Sequence, residues 1–440
     1  MSGLQYASSR GGAPLVSLSQ AITQGLAPDG GLYVPTKLPS IQAGLPPNLS
    51  ASPAELPQVA RVALAGFFAG DALHDALPEI ADTALNIAAP TTAVAACPDP
   101  LFVLELYHGP TAAFKDYGAR FLAESHERLQ PASPAQPLSI LVATSGDTGG
   151  AVAAAFNARP WARVVILYPK GLVSPRQERQ LTCWGDNVLS LRVAGTFDDC
   201  QRMVKEAFRD PILSRKHRFS SANSINIGRL LPQMVYYIAS SLQIAGRTGQ
   251  KPSYIIPAGN LGNACAALWA RAMGFPLGSI ILAHNSNRTV PDFFSTGRWQ
   301  PRPSVATLAS AMDVGNPSNM ERLQWQFPTW EAMREHLSAD SVDDATIRAR
   351  IKGDFMQYGR EWCPHTATAA EVYSRLKPAE RRSQPWVVVA TAHPAKFNEI
   401  VEPIIGKPIE VPESLASLLR SPQRCVDLPP TLEALAAALE

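Results

Sequence analysis

Short apolar segments alternate with amphipathic segments from Phe102 onward, and this alternation is the strongest constraint that the sequence places on the fold. The runs at 138–143 and 386–390 contain almost only apolar residues, which is typical of strands covered on both faces. The runs at 116–130 and 197–208 have the spacing of amphipathic helices. Repeated strand–helix units predict an α/β fold with parallel strands and helices on both faces. Ligands of such sheets bind beyond the carboxyl ends of the strands.

The composition is that of a globular protein with more than one domain. The chain has 440 residues, 46% hydrophobic and 17% charged, with a net charge of +2. This charge gives no reason to expect nucleic acid or an anionic membrane as a partner. No apolar run approaches the roughly 20 residues of a membrane span, and the first residues lack a signal-peptide pattern. The six cysteines are scattered, so we expect a cytoplasmic protein without a disulfide framework or a metal site.

The domain organisation is predicted from where these patterns change. Residues 1–98 are predicted to form an N-terminal, largely helical domain, with helices at 60–68 and 71–77 and an irregular, proline-rich stretch from Pro35 to Pro57. Residues 99–440 are predicted to form two α/β lobes, a smaller one at about 138–225 and a larger one from 99–137 and 226–440. The other predicted strands and helices are 102–106, 149–157, 164–168, 188–193, 254–258 and 264–273.

Lys115 lies between an apolar run and a predicted helix, in the stretch from Tyr107 to Asp116. Lysine is almost never fully buried unless it is paired, and in water its amine has a pKa of about 10.4. Imine formation with a carbonyl cofactor uses the free amine, and transfer of the cofactor to a substrate later releases a local base. We interpret Lys115 as the lysine that holds pyridoxal phosphate as a Schiff base. Its position alone fits a surface lysine at a helix start equally well.

Two glycine-rich turns each follow a predicted strand and precede a predicted helix. Free N–H groups and the helix dipole favour an anion at such a place, and glycine lets the backbone approach it. The first turn suits a carboxylate or a phosphate, the second a phosphate. Either one alone also fits an ordinary turn with a capping side chain. The first turn contains Ser145, Asp147 and Thr148, and the second consists of Gly259, Asn260, Leu261, Gly262 and Asn263.

Three further polar residues fit the same kind of site. The hydroxyl of Thr391, at a strand end, could bond a pyridine nitrogen and leave it largely neutral. Asn223 and Arg229 combine an amide with a guanidinium, which is a good set of phosphate ligands. Position alone also fits a capping threonine and a solvated helix start.

Ordered motifs along nearly the whole chain resemble those of the threonine synthase family. The motifs that contain Lys115 and Thr391 are specific, whereas the glycine turns are shared with related enzymes. Leu261 is one departure, because the family usually has an aromatic residue there; the change alters packing beside the turn but not its N–H donors. The matching stretches are 25–35, 108–111, 114–116, 145–149, 223–226, 312–319 and 391–397.

The resemblance implies a two-lobed pyridoxal-phosphate fold of the tryptophan synthase β type. It implies that Lys115 is the imine lysine and that Thr391 faces the ring nitrogen of the cofactor. The turn at 259–263 would hold the cofactor phosphate. The resemblance also implies that the substrate carboxylate and the cofactor ring oxygen contact Ser145, Asp147 and Thr148. It implies that the substrate phosphate contacts Asn223 and Arg229.

The implied reaction converts O-phospho-L-homoserine and water to L-threonine and phosphate, the last step of threonine biosynthesis. The freed Lys115 amine would remove the α proton; a β proton is then lost, phosphate leaves the γ carbon and water adds at the β carbon. One alternative is a dehydratase or phospho-lyase of the same fold, which would release a 2-oxo acid. Another is a catalytically silent ligand-binding relative, which would have no need of an imine lysine. We expect a monomer or a homodimer.

Overall fold

The computed structural model describes residues 3–41, 56–131 and 136–440. These residues form a two-stranded sheet, a six-stranded sheet and a five-stranded sheet, with helices packed between and around them. The predicted α/β fold, with two parallel-stranded lobes and a largely helical N-terminal part, is confirmed. Three predicted strands, 138–143, 188–193 and 386–390, have the bounds expected from the sequence.

The described residues of the N-terminal part form one antiparallel strand pair and three helices. Its elements are β1 (Tyr6–Ser8), α1 (Leu18–Gln24), β2 (Tyr33–Pro35), α2 (Leu56–Phe68) and α3 (Leu77–Ala84).

The helix predicted at 71–77 is wrong, because residues 71–76 form turns and α3 begins only at Leu77. The Asp71 carboxylate accepts from the N–H groups of Leu73 and Ser19, at 2.9 Å each, and this local bonding competes with a helix. Most of the stretch from Pro35 to Pro57 lies outside the described residues.

The rest of the chain also alternates strands and helices, as predicted for the stretches 102–208, 254–273 and 386–390. From 91 to 248 the elements are β3 (Thr91–Ala93), β4 (Leu101–Glu105), α4 (Lys115–Leu129), β5 (Leu138–Ala143), α5 (Asp147–Phe156), β6 (Ala162–Pro169), α6 (Pro175–Thr182), β7 (Val188–Val193), α7 (Phe197–Arg209), α8 (Pro211–Lys216), β8 (Arg218–Ser221) and α9 (Ile227–Thr248). From 253 onward they are β9 (Ser253–Pro257), α10 (Gly262–Ala272), β10 (Ile280–His284), α11 (Thr289–Thr296), α12 (Met320–Gln326), α13 (Trp330–Arg334), β11 (Leu337–Ser341), α14 (Asp344–Tyr358), α15 (Pro364–Arg375), α16 (Pro378–Ser383), β12 (Trp386–Ala390), α17 (Asn398–Ile405), α18 (Glu413–Arg420), β13 (Val426–Leu428) and α19 (Leu432–Leu439), with short 3₁₀ turns at Ser310–Met312 and Pro394–Phe397.

The six-stranded sheet has the order β11-β10-β9-β12-β4-β3, and every pair except β3 with β4 is parallel. All residues of β9 and β12 are buried, as expected for central strands covered on both faces. Neighbouring strands β9, β12 and β4 therefore end side by side at one edge of this sheet.

The five-stranded sheet has the order β13-β7-β6-β5-β8 and is parallel throughout. Strands β5 and β8 are neighbours, so the loops that follow them also lie together. Two short elements near the end of the chain belong here: β13 pairs with β7, and α19 packs on α7.

We propose a small revision of the domain division on this basis. Residues 426–440 belong with the smaller lobe rather than the larger one, because β13 is hydrogen-bonded to β7. Residues 91–93 belong with the larger sheet, because β3 pairs with β4.

Within the described parts of the chain, the model has no helix that is both long and apolar enough to cross a membrane.

Helices α4 and α9 cross in close contact, and we predict that this contact requires Gly118. A Cβ at Gly118 would lie 2.8 Å from both the backbone oxygen and the Nε of Arg229. Gly118→Ala should therefore destabilise the protein by about 1–3 kcal/mol, as overpacking does, measured by urea unfolding.

Gly246→Ala is the matched control, because Gly246 lies in α9 with open space around it. It should stabilise the protein by about 0.5–1 kcal/mol, the usual difference between alanine and glycine in a helix. Equal stabilisation by both substitutions would contradict the close helix contact.

Candidate active site

The ends of five strands meet around one cleft between the two large sheets. Strands β4, β12 and β9 lead to Lys115, Thr391 and the 259–263 turn, and strands β5 and β8 lead to the 144–148 turn and Asn223. The cleft has about 950 Å³ of empty space, including the part open to solvent. It is lined by every residue that the sequence predicted for the site, namely Lys115, Ser145, Asp147, Thr148, Asn223, Arg229, Gly259, Asn260, Leu261, Gly262, Asn263 and Thr391.

Main-chain hydrogen bonds hold the Lys115 segment against the Thr391 segment. The Phe114 N–H donates to the Thr391 carbonyl at 2.9 Å, and the His393 N–H donates to the Ala112 carbonyl at 3.0 Å. These two bonds form a short antiparallel bridge between Ala113 and Ala392, beyond the ends of the parallel strands β4 and β12. Lys115 and Thr391 are therefore placed by backbone rather than by flexible side chains.

The Asp116 carboxylate fixes the turn before α4. It is buried and accepts from the N–H of Thr111 at 2.9 Å and from its hydroxyl at 2.6 Å. A Cβ at Gly109 would overlap this carboxylate, so the turn needs a glycine there. Burial raises the pKa of Asp116, whereas the hydrogen bonds from Thr111 act in the opposite direction.

Lys115 is the first residue of α4, and its side chain is 15% exposed. Its Nζ lies 3.9 Å from Asp147 Oδ2. Burial lowers the pKa of Lys115 from 10.5 to about 8, and the positive charges of Lys396 and Arg229 lower it too, while Asp147 opposes them. A larger share of Lys115 is therefore neutral near neutral pH than of a surface lysine, which suits a nucleophilic amine.

A second buried lysine, Lys396, forms an ion pair with Asp147. The Lys396 side chain is fully buried; its Nζ lies 2.9 Å from Asp147 Oδ1 and donates to the Thr111 carbonyl at 2.7 Å. Gln177 Nε2 donates to the same Oδ1 at 3.0 Å. Burial alone would raise the pKa of Asp147, but the charges of Lys396 and Lys115 outweigh it and hold the pKa well below its usual range. Asp147 is therefore a fixed anion whose Oδ2 faces Lys115.

The turn at 144–148 is shaped by Thr144 and Gly146. Thr144 Oγ1 accepts from the N–H groups of Gly146 at 3.0 Å and Gly149 at 2.9 Å. Gly146 has φ of 136°, and a Cβ there would lie 2.7 Å from the Gln177 amide. Helix α5 starts at Asp147. Because Thr144 Oγ1 occupies the Gly149 N–H, the N–H groups of Asp147 and Thr148 are the ones that remain available to an anion.

The turn at 259–263 approaches its neighbours closely and carries backbone strain. A Cβ at Gly259 would lie 3.0 Å from the Cα of Met312. Leu261 has φ of 63°, a left-handed conformation that costs a non-glycine residue roughly 1–2 kcal/mol. No side chain caps helix α10, which starts at Gly262, so its first N–H groups are also free for an anion.

Two tyrosines fix the orientation of the Asn263 amide. Tyr236 and Tyr237 both donate to Asn263 Oδ1, at 2.5 Å and 3.0 Å. Asn263 Nδ2 is buried and has no hydrogen-bond partner in the described parts of the chain. This donor sits at the start of α10, where an anion would satisfy it.

Asn223 and Arg229 also line the cleft. Asn223 Nδ2 donates to the Ala143 carbonyl at 3.1 Å. Its second N–H and its Oδ1 remain available to a ligand. Arg229 donates from Nη1 to the Ala222 carbonyl, and its buried Nε has no partner among the described residues. Burial lowers the pKa of Arg229 to about 10, which still leaves it cationic at neutral pH.

Several residues in or beside the cleft have no role predicted from the sequence. Lys396 occurs in a motif that matched the family, but nothing local indicated that it would pair with Asp147. His365 also lines the cleft, although its role was not predicted. The same holds for Ala311, Met312 and Val314, of which only the last two fall in a matching stretch.

The residues of the cleft fit pyridoxal phosphate. The group needs an amine for its aldehyde, anion-binding donors for its phosphate and a polar partner for its ring nitrogen. Lys115 supplies the amine, and the hydroxyl of Thr391 supplies the partner for the ring nitrogen. The unpartnered Asn263 Nδ2 and the uncapped start of α10 supply the phosphate donors.

Three family models together match nearly the whole chain. The model described as pyridoxal-phosphate dependent enzyme matches residues 77–392. Those described as threonine synthase N terminus and threonine synthase, C-terminal match residues 5–85 and 366–439.

Relatives and solved structures agree with these models. The threonine synthase of Serratia marcescens is 39% identical, covering 91% of each chain, and that of Escherichia coli is 38% identical, covering 96% of this chain and 95% of its own. The crystal structure of threonine synthase from Escherichia coli superposes with a TM-score of 0.85 at 35% identity, covering 99% of both chains. That of the pyridoxal-phosphate-bound threonine synthase from Brucella melitensis gives 0.88 at 32% identity, covering 99% of both chains. The chain therefore belongs to the threonine synthase family of pyridoxal-phosphate-dependent enzymes.

Proposed function

We propose that this protein converts O-phospho-L-homoserine and water to L-threonine and phosphate. The proposal rests on one observation above all: a single cleft brings together a lysine of lowered pKa, two helix starts with free N–H groups and a buried arginine. The membership of the chain in the threonine synthase family supports the same reaction.

Lys115 is proposed to hold the cofactor and to move protons. Pyridoxal phosphate, when bound, supplies an electron-accepting ring that stabilises negative charge left on the α carbon. Lys115 Nζ, released when the substrate amine takes its place, would remove the α proton and carry protons in the later steps. Asp147, at 3.9 Å from Nζ, favours the protonated form of Lys115 each time that the amine accepts a proton.

The two ends of the cleft are proposed to hold the anionic groups. Thr391 would face the ring nitrogen of the cofactor, and Gly259, Asn260, Leu261, Gly262 and Asn263 would hold its phosphate. Ser145, Asp147 and Thr148 would meet the substrate carboxylate and the cofactor ring oxygen, with free N–H groups at the start of α5 as the carboxylate donors. Arg229 and the remaining N–H of Asn223 would stabilise the phosphate that leaves the substrate.

We further propose a cytoplasmic monomer or homodimer. One chain contributes all the residues of the proposed site, so the site requires no partner. All six cysteines lie within the described residues and are free thiols, which is consistent with a reducing compartment.

Lys115→Ala should abolish the formation of threonine, because the substitution removes both the attachment point of the cofactor and the proton carrier. The assay incubates O-phosphohomoserine with cofactor-loaded protein and follows phosphate, threonine and 2-oxobutanoate together. The parent protein should release threonine and phosphate in equal amounts. Lys352→Ala, which alters an exposed lysine of α14, is the control and should keep full activity.

Two results would contradict this proposal. Phosphate with 2-oxobutanoate in place of threonine would identify a phospho-lyase of the same fold. Normal turnover by Lys115→Ala would show that another residue carries the chemistry.

Capture of pyridoxal phosphate by the unloaded protein should accelerate as the pH rises, with a midpoint near 8. Only the neutral amine attacks the aldehyde, and the pKa of Lys115 is lowered to about 8 by burial, so the reactive form increases through that pH. The measurement is the initial rate of the visible absorbance change, taken at intervals of about half a pH unit from about pH 6 to about pH 10. A midpoint near the ordinary pKa of lysine, about 10.4, would contradict the effect of burial.

Arg229→Gln should lower kcat/KM for O-phosphohomoserine by about 10²–10³, because the site loses the fixed cation that faces the leaving phosphate. Arg247→Gln, at the exposed end of the same helix, is the matched control and should have no effect. Cofactor absorbance should be normal in both variants, which separates a defect in phosphate handling from a defect in folding. Equal activity of the two variants would contradict the role assigned to Arg229.

A further inference from the structure

His365 is buried in the wall of the cleft and has no role in the proposed reaction so far. It is the second residue of helix α15 and is 2% exposed. Its ring packs against Phe397, with ring centroids 4.9 Å apart. It lines the same cleft as Lys115, Asp147 and Thr391.

One hydrogen bond defines which nitrogen of His365 carries the proton. The Ala311 N–H donates to Nε2 at 3.0 Å, so Nε2 must be the unprotonated nitrogen. The proton of the neutral ring is then on Nδ1. Burial lowers the pKa of His365 to about 4; Asp147 opposes this shift, whereas Lys115 and Lys396 add to it. The ring is therefore neutral at physiological pH.

The Nδ1–H group is a buried donor that the rest of the described chain leaves without an acceptor. Leaving a buried donor unpaired is unfavourable, so such a group at the wall of a ligand cleft indicates a partner that binds there. The charges that act on His365 are those of Asp147, Lys115 and Lys396, which places it beside the amine end of the cleft. A neutral donor is suited to this position, because it binds an anionic oxygen without adding a third positive charge.

We propose that His365 is a ligand-binding residue whose Nδ1–H donates to an anionic oxygen of the molecule held next to Lys115. This inference rests on the proposed function and assigns a further residue to the same site. Two sources have the required chemistry: the carboxylate of the amino-acid substrate and the ring oxygen of the cofactor.

The competing explanation is that His365 only anchors the segment around Ala311, which lines the cleft beside the 259–263 turn. The two explanations depend on different nitrogens of one ring, and two substitutions separate them. In His365→Gln the amide reaches the position of Nε2, so it can still accept from the Ala311 N–H but lacks the Nδ1 donor. In His365→Asn the amide lies at the position of Nδ1, so it can still donate to the ligand but no longer reaches Ala311.

We expect His365→Gln to be the more impaired variant and His365→Asn to keep most of the function. The loss in His365→Gln should be about 10- to 100-fold, as expected for one hydrogen bond to a charged group. If the acceptor is the substrate carboxylate, the loss is in KM for O-phosphohomoserine. If it is the cofactor ring oxygen, the loss is in the affinity for pyridoxal phosphate, measured by titration of the visible absorbance without substrate.

The reverse ranking, with His365→Gln active and His365→Asn impaired, would overturn the proposal in favour of the anchoring role. Equal behaviour of the two variants would also overturn it, because a donor at Nδ1 would then make no difference. The parent protein, assayed in parallel, tests the proposed reaction itself. If it forms no threonine, the proposed function fails, while the cofactor titration still decides whether His365 binds the cofactor.

Discussion

The active site depends on the parallel pairing of β4 with β12 and on a short antiparallel bridge beyond the strand ends, where hydrogen bonds join residues 112–114 to residues 391–393. Backbone hydrogen bonds of this kind leave little freedom for the residues that they join. Thr391 lies in one of the paired segments and Lys115 directly follows the other, so their positions relative to each other are set by these backbone hydrogen bonds. The 259–263 turn belongs to the same frame, because β9 is the other neighbour of β12.

A cluster of buried charges connects this frame to the smaller lobe. Asp147 belongs to the turn after β5, whereas Lys115 and Lys396 belong to elements of the larger lobe. Removing these charges from water is unfavourable unless they pair with good geometry and hydrogen bonds, which Gln177 and the Thr111 carbonyl supply. The arrangement keeps Asp147 ionised and places its Oδ2 3.9 Å from Lys115 Nζ, so Asp147 favours the protonated form of that lysine.

Several buried donors around the cleft lack partners within the described chain, namely Asn263 Nδ2, Arg229 Nε and His365 Nδ1. Each unpaired donor costs roughly 1–3 kcal/mol, and the left-handed Leu261 adds strain at the same place. Anionic groups bound in the cleft would satisfy these donors and stabilise the folded protein by mass action. All three of these residues line the cleft, where a bound ligand can reach their donors.

The sequence by itself determined several of the strands and helices and the local motifs. The runs at 138–143, 188–193 and 386–390 are uninterrupted enough to define both ends of each strand, and the motifs around Lys115 and Thr391 are specific enough to indicate the family. Only the tertiary structure decided that Lys396 pairs with Asp147, that Ala311 sets the tautomer of His365 and that β13 returns to the smaller sheet. The physical reason is that these contacts join segments far apart in the chain. The residues around one segment do not indicate which distant segment will pack against it, so these contacts form only when the sheets have packed.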